Sequence, residues 1–161
     1  MGTWDVGPFD NDSAADLLVR EVDSVEKLIR KARGDERSKL VEYQRRLIET
    51  SQGSDILGGY SGKRKPSTEF VVGQSSPAIL KKIRSILRMI ANADQDGDYA
   101  FAGMGLLAIL AESHTITNAV RRADLEEVIL AAVYMLGEEA QYFDNPADRI
   151  QAIRAVVERI A

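Results

Sequence analysis

Apolar residues recur at spacings of three and four along most of the chain, which is the period of an α-helix. The first apolar stripe extends from Ala14 to Ala32, and it predicts a helix that ends at Gly34. A narrower stripe predicts a second helix from about Glu36 to Ser51. The two helices are therefore expected to form a hairpin joined at Gly34-Asp35.

The pattern resumes at Ser76-Pro77, a typical helix start, because serine caps the first turn and proline fits its first position. This third helix should end near Asn92. A fourth helix, from about Tyr99 to Ser113, is apolar nearly all round and contains Gly103 and Gly105. Helices of that kind lie inside a fold, so we place it at the centre of the bundle.

Two more helices complete the predicted fold. Asp124 is expected to cap a fifth helix that ends at Gly137, and Asn145-Pro146 to begin a sixth that continues to the C-terminus. The pattern thus predicts an all-α fold, a single bundle of about six helices formed by one domain, residues 1–161.

The bundle is interrupted by a predicted irregular loop over residues 53–76. The segment contains five glycines, a proline and many small polar residues, which favour turns. Glu69 to Val72 could form a short strand there, with Ile56 and Leu57 as its partner. A non-helical segment of this length is unusual in a compact domain and is often functional or mobile.

The opening residues have the most specific local pattern, MGTWDVGPFDNDSAAD. Gly7 and Pro8 favour an extended or turning segment ahead of the first helix. Asp10, Asn11 and Asp12 are candidate N-caps, whereas Trp4 is expected to cover one end of the bundle. One alternative is a contact site, for which the candidates are Trp4, Phe9, Asp10, Asn11, Asp12 and Asp16. Another is a cation site formed by the carboxylates of Asp10, Asp12 and Asp16.

This pattern resembles the opening of DUF4259, a family of bacterial proteins. The resemblance covers about a tenth of the chain, and a vaguer one extends to the small-residue helix at 100–113. It implies a bacterial origin. Because the family has no established activity to transfer, the resemblance assigns no catalytic residue.

The net charge of −4 hides a marked segregation along the sequence. Residues 20–91 contain 16 basic and 9 acidic side chains, whereas residues 92–161 contain 5 basic and 12 acidic ones. Attraction between the two halves within the fold would explain this pattern. The alternative is that each half presents a charged surface to a partner.

Candidate chemistry is sparse. The absence of cysteine excludes disulfides, thiolate zinc sites and cysteine nucleophiles. Asp94 to Asp98 fails the EF-hand spacing in either register, and Gly58 to Lys63 fails the phosphate-loop spacing. His114, the single histidine, is expected to interact with the C-terminal end of the fourth helix. We therefore predict no enzyme activity, no metal and no cofactor.

The composition favours a cytoplasmic protein without a signal peptide or membrane span. We predict a non-enzymatic interaction protein, of immunity or regulatory type, that binds a basic protein through its acidic C-terminal half. The alternative is nucleic-acid binding through the basic region 63–88. Its candidate contacts are Lys63, Arg64, Lys65, Lys81 and Lys82.

Overall fold

A computed structural model describes residues 7–51, 76–93 and 96–160. The described residues form six α-helices: α1 (Asp12–Lys31), α2 (Gly34–Ser51), α3 (Pro77–Ala91), α4 (Gly97–Ala111), α5 (Arg122–Ala140) and α6 (Pro146–Ile160). A short 3-10 helix, Ile116–Asn118, lies between α4 and α5. The prediction of an all-α bundle is confirmed. The predicted strands at residues 56–57 and 69–72 lie outside the described residues.

Helix α4 is the centre of the bundle, as its composition predicts. It packs against each of the other five helices, and 12 of its 15 residues are buried. Gly103 allows α3 to approach closely, because a Cβ there would lie 2.6 Å from Ile90 Cγ1 and 2.9 Å from Met89 Cε. A core organised on one apolar helix follows from this arrangement.

Three helices begin at side-chain caps that the sequence contains. The side chain of Asn11 accepts a hydrogen bond from the Ala14 amide, that of Ser76 from Ile79, and that of Asp96 from Tyr99. Each bond satisfies an amide that the first turn of a helix leaves without a partner. The predicted start at Ser76-Pro77 is confirmed, with proline in the first turn.

Two of the predicted helix ends are wrong. Helix α1 ends at Lys31, and Gly34, with φ of +60°, is already the first residue of α2. Helix α5 continues through Gly137 to Ala140. A glycine inside a helix costs only about 1 kcal/mol relative to alanine. The burial of Leu136 and Ala140 on either side of Gly137 outweighs that cost.

The start of α5 also differs from the prediction. Arg121 occupies the cap position without a side-chain cap hydrogen bond, and Asp124 lies in the first turn. Asp124 instead accepts hydrogen bonds from the Arg121 guanidinium at 2.9 and 3.0 Å. Among the described residues, none of the helices has both the length and the apolar character that crossing a bilayer requires.

Candidate functional site

The described part of the N-terminal motif packs against the central helix. Phe9 is only 7% exposed and belongs to the hydrophobic core. Its ring and Pro8 lie against Gly105, where a Cβ would be 2.7 Å from Phe9 Cζ and 3.1 Å from Pro8 Cβ. Asp10 turns the segment by accepting a 2.8 Å hydrogen bond from the Gly7 amide. The segment is therefore held by packing and by its own turn.

The other predicted motif contacts are dispersed. Asn11 is 1% exposed and is occupied in capping α1. Asp12 and Asp16 are exposed to solvent on the first turns of α1. Trp4 lies outside the described residues. Within the described ranges, no group of three or more histidine or carboxylate side chains is arranged to hold a metal ion.

Arg149 is the residue that links this segment to the far end of the chain. Its guanidinium lies between the rings of Phe101 and Phe143, 4.4 Å from each centroid. One of its nitrogens donates a 3.4 Å hydrogen bond to the Gly7 carbonyl, and another lies 4.0 Å from Asp98 Oδ1. Burial lowers the pKa of Arg149, while the neighbouring carboxylates oppose that shift. The side chain thus anchors α6, α4 and the N-terminal segment together.

Glu139, near the end of α5, meets the beginning of α4. Its carboxylate occupies the space where a Cβ of Gly97 would lie, and it accepts a hydrogen bond from the Gly97 backbone. Burial raises the pKa of Glu139, and the negative charge of Asp98 raises it further. The carboxylates of Glu139 and Asp98 therefore lie between the α4 N-terminus and the buried Arg149.

The basic residues predicted to contact nucleic acid lie in different environments. Lys82 is directed inward, where its Nζ donates hydrogen bonds to Glu21 Oε1 at 2.8 Å and Ser24 Oγ at 2.7 Å. Glu21 also accepts a 2.7 Å hydrogen bond from the buried Tyr43 hydroxyl. Lys81 is exposed, and Lys63, Arg64 and Lys65 lie outside the described residues. The structure therefore uses Lys82 to join α1 to α3.

A second buried ion pair joins α2 to the end of α4. Arg46 on α2 donates two hydrogen bonds to Glu112 at the end of α4, at 2.7 and 2.8 Å. His114 nearby is 6% exposed, with its Nδ1 3.3 Å from the Leu110 carbonyl oxygen. Burial lowers the pKa of His114, which favours the neutral ring. The histidine lies at the C-terminal end of α4, as predicted, in a packed setting.

The exposed face of α5 carries two of the large hydrophobic side chains that lie in solvent among the described residues. Leu130 is 68% exposed and Tyr134 is 72% exposed, one helical turn apart on the same face. Ala131 and Gly137 are exposed beside them. We call these four residues the α5 stripe. Exposed Glu127 lies on the same face before the stripe and exposed Glu138 beside its end.

The stripe lies within the most acidic segment of the sequence. Residues 123–148 contain seven acidic side chains and no lysine or arginine. The acidic half is evident from the sequence, whereas the exposure of Leu130 and Tyr134 was not predicted. A signal was present, because apolar residues run without interruption from Val128 to Leu136. A helix that is buried on one face places only about half of such a run on that face, so the remaining apolar residues are exposed.

Comparison with known proteins gives no relative, since no protein-family model, curated protein or solved structure matches the chain. The resemblance of the opening residues to DUF4259 remains a prediction.

Proposed function

We propose that the protein is a non-enzymatic interaction protein whose acidic C-terminal half binds a basic partner protein, and that the α5 stripe is the contact surface. The observation that carries the proposal is the exposure of Leu130 and Tyr134 within an acidic segment. An immunity-type or regulatory protein that masks the basic surface of its partner is one form of this function.

The energetics of interfaces support this location. Single exposed apolar residues are common on protein surfaces, but adjacent large ones mark binding sites more often. Tyrosine is enriched among the residues that dominate binding energy, where truncation costs about 2 kcal/mol or more. Tyr134 and Leu130 offer such anchors on a rigid helix, which keeps the entropic cost of ordering them small.

The charge pattern supports a basic partner. Residues 123–148 contain seven acidic side chains, of which Asp124 is paired with Arg121 and Glu139 interacts with Arg149. The exposed Glu126, Glu127 and Glu138 produce a negative potential around the α5 stripe. Such a field accelerates encounter with a positive surface and disfavours acidic competitors. The nucleic-acid alternative has less support, because Lys82 is already bonded to Glu21 and Ser24.

Affinity capture from lysate of the native cells tests the proposal. The bait is compared with a Leu130→Ala/Tyr134→Ala variant and with Val19→Ala, which removes another exposed apolar side chain, on α1. We expect a basic protein that is captured by the original chain and by Val19→Ala, is lost from the double variant, and is released by salt. Capture that ignores the double substitution, or no specific capture even at low salt, would contradict the proposal.

A further inference from the structure

We infer that the segment of the partner that contacts the α5 stripe is an amphipathic α-helix with basic residues on both sides of a short apolar patch. The inference rests on the proposed function and specifies the chemistry of the partner. It follows from the spacing of apolar, small and acidic positions on α5.

The exposed face of α5 has the dimensions of a helix-binding surface. At 100° per residue, one narrow face of α5 contains Glu127, Leu130, Tyr134 and Glu138. Leu130 and Tyr134 are about 6 Å apart along the helix axis, and Glu127 and Glu138 bracket them over about 16 Å. The apolar patch is therefore about one turn long with an acid at each end.

Small residues beside the two anchors favour a helix as the occupant. Ala131 has only a methyl side chain and Gly137 has none, and no neighbouring element lies within 4 Å of where a Gly137 Cβ would be. A second helix can therefore lie beside Leu130 and Tyr134 at the 8–10 Å axial separation typical of packed helices. Its own apolar side chains, three or four residues apart, would meet the two anchors.

Charge decides between a basic helix and a second copy of this chain. An antiparallel pair of α5 helices would bring the Glu126–Glu127 end of one copy against Glu138 of the other. A parallel pair would oppose each glutamate with itself. Both arrangements place like charges together. A helix with lysine or arginine about one turn before and after its apolar residues would instead face Glu127 and Glu138.

The experiment uses the full chain and a fluorescein-labelled helical peptide with an apolar i, i+3, i+4 patch and lysines on both sides. Two control peptides carry glutamates in place of the lysines, or the same composition in an order that breaks the apolar patch. Fluorescence anisotropy is expected to show binding of the first peptide, weakening with salt. The Leu130→Ala/Tyr134→Ala variant should bind at least about tenfold more weakly, and Val19→Ala as well as the original chain.

A charge-reversal variant of the protein provides a second test. Glu127→Lys/Glu138→Lys alters two exposed side chains and should transfer the preference from the lysine peptide to the glutamate peptide. Equal binding of the peptide with the broken patch, or no loss in the alanine variant, would overturn the inference. So would self-association in sedimentation velocity that the alanine variant abolishes, because the occupant would then be a second copy.

The two proposals fail in different ways. If affinity capture yields a partner that depends on Leu130 and Tyr134 while the helical peptide does not bind, the inference of a helix is wrong and the proposed function stands. If no partner depends on those residues, the proposed function fails as well.

Discussion

Substitution of Gly105 by alanine tests how firmly the N-terminal segment is docked on the central helix. The new methyl group would lie 2.7 and 2.8 Å from Phe9 Cζ and Cε2, and 3.1 Å from Pro8 Cβ. Alanine gains about 1 kcal/mol of helix propensity over glycine. Overpacking of a buried site costs about 1–3 kcal/mol. We therefore expect the free energy of unfolding to fall, by about 1 kcal/mol.

Gly137→Ala is the matched control, since that glycine lies inside α5 and no neighbouring element lies within 4 Å of its Cβ position. The same propensity gain should appear there without a clash, so stability should rise by about 0.5–1 kcal/mol. Urea denaturation followed by circular dichroism at the helix band measures both changes, because the helices unfold with the core.

A double-mutant cycle identifies the origin of the Gly105 effect. Phe9→Ala removes the ring that the new methyl group would meet, at a cost of its own of about 3 kcal/mol or more. In that background Gly105→Ala should become stabilising, which gives a coupling energy of about 2 kcal/mol. If Gly105→Ala stabilises the original chain as much as Gly137→Ala does, Phe9 does not pack against α4 and the description of the segment is wrong.

Three further predictions concern buried polar groups and a cap. Burial raises the pKa of Tyr43 well above its ordinary value of 10.0, so the folded protein holds that proton longer than the unfolded chain. Its stabilising contribution is complete below pH 10.0 and is lost as the pH rises through the folded-state pKa. Tyr43→Phe should flatten the fall in unfolding free energy above about pH 10, and an unchanged slope there would contradict this. Arg149→Ala should lower the free energy of unfolding by about 2–5 kcal/mol, because it leaves a cavity between the rings of Phe101 and Phe143, where this buried side chain packs; urea denaturation measures the loss, and a loss no larger than that of exposed Arg154→Ala would refute it. Ser76→Ala should cost about 1 kcal/mol in the same assay, and restoration by Ser76→Asp is the control that attributes the loss to the cap.

Much of the fold could be predicted because local signals and burial agree. The composition of α4 allows no solvent-facing side, and it lies at the centre of the bundle with 12 of 15 residues buried. Ser76-Pro77 begins a helix because the cap and the missing proline amide both suit that position. Where local residue preference and burial conflict, burial determines the structure. Gly137 is an example, because glycine weakly favours a helix end but α5 continues through it and buries neighbouring side chains.

The buried charges could not be predicted for a different reason. Lys82 and Arg149 each lie on a helix, and the residues around them in the sequence are those typical of a solvent-exposed basic side chain. Their partners are distant along the chain: Glu21 is 61 residues from Lys82, and Gly7 is 142 residues from Arg149. Only the packing of the helices determines which charges meet, so no local spacing shows it. The exposure of Leu130 and Tyr134 was not predicted either, because apolar residues of a helix are expected to lie in the core.

Site-specific photo-crosslinking tests most directly whether the α5 stripe binds a partner. A benzophenone amino acid is placed at the position of Tyr134, or at that of Val19 as the control, in cells that naturally produce the protein. We expect a discrete crosslinked adduct with a basic protein from position 134 and none from position 19. The same adducts from both positions, or no adduct from position 134, would contradict it.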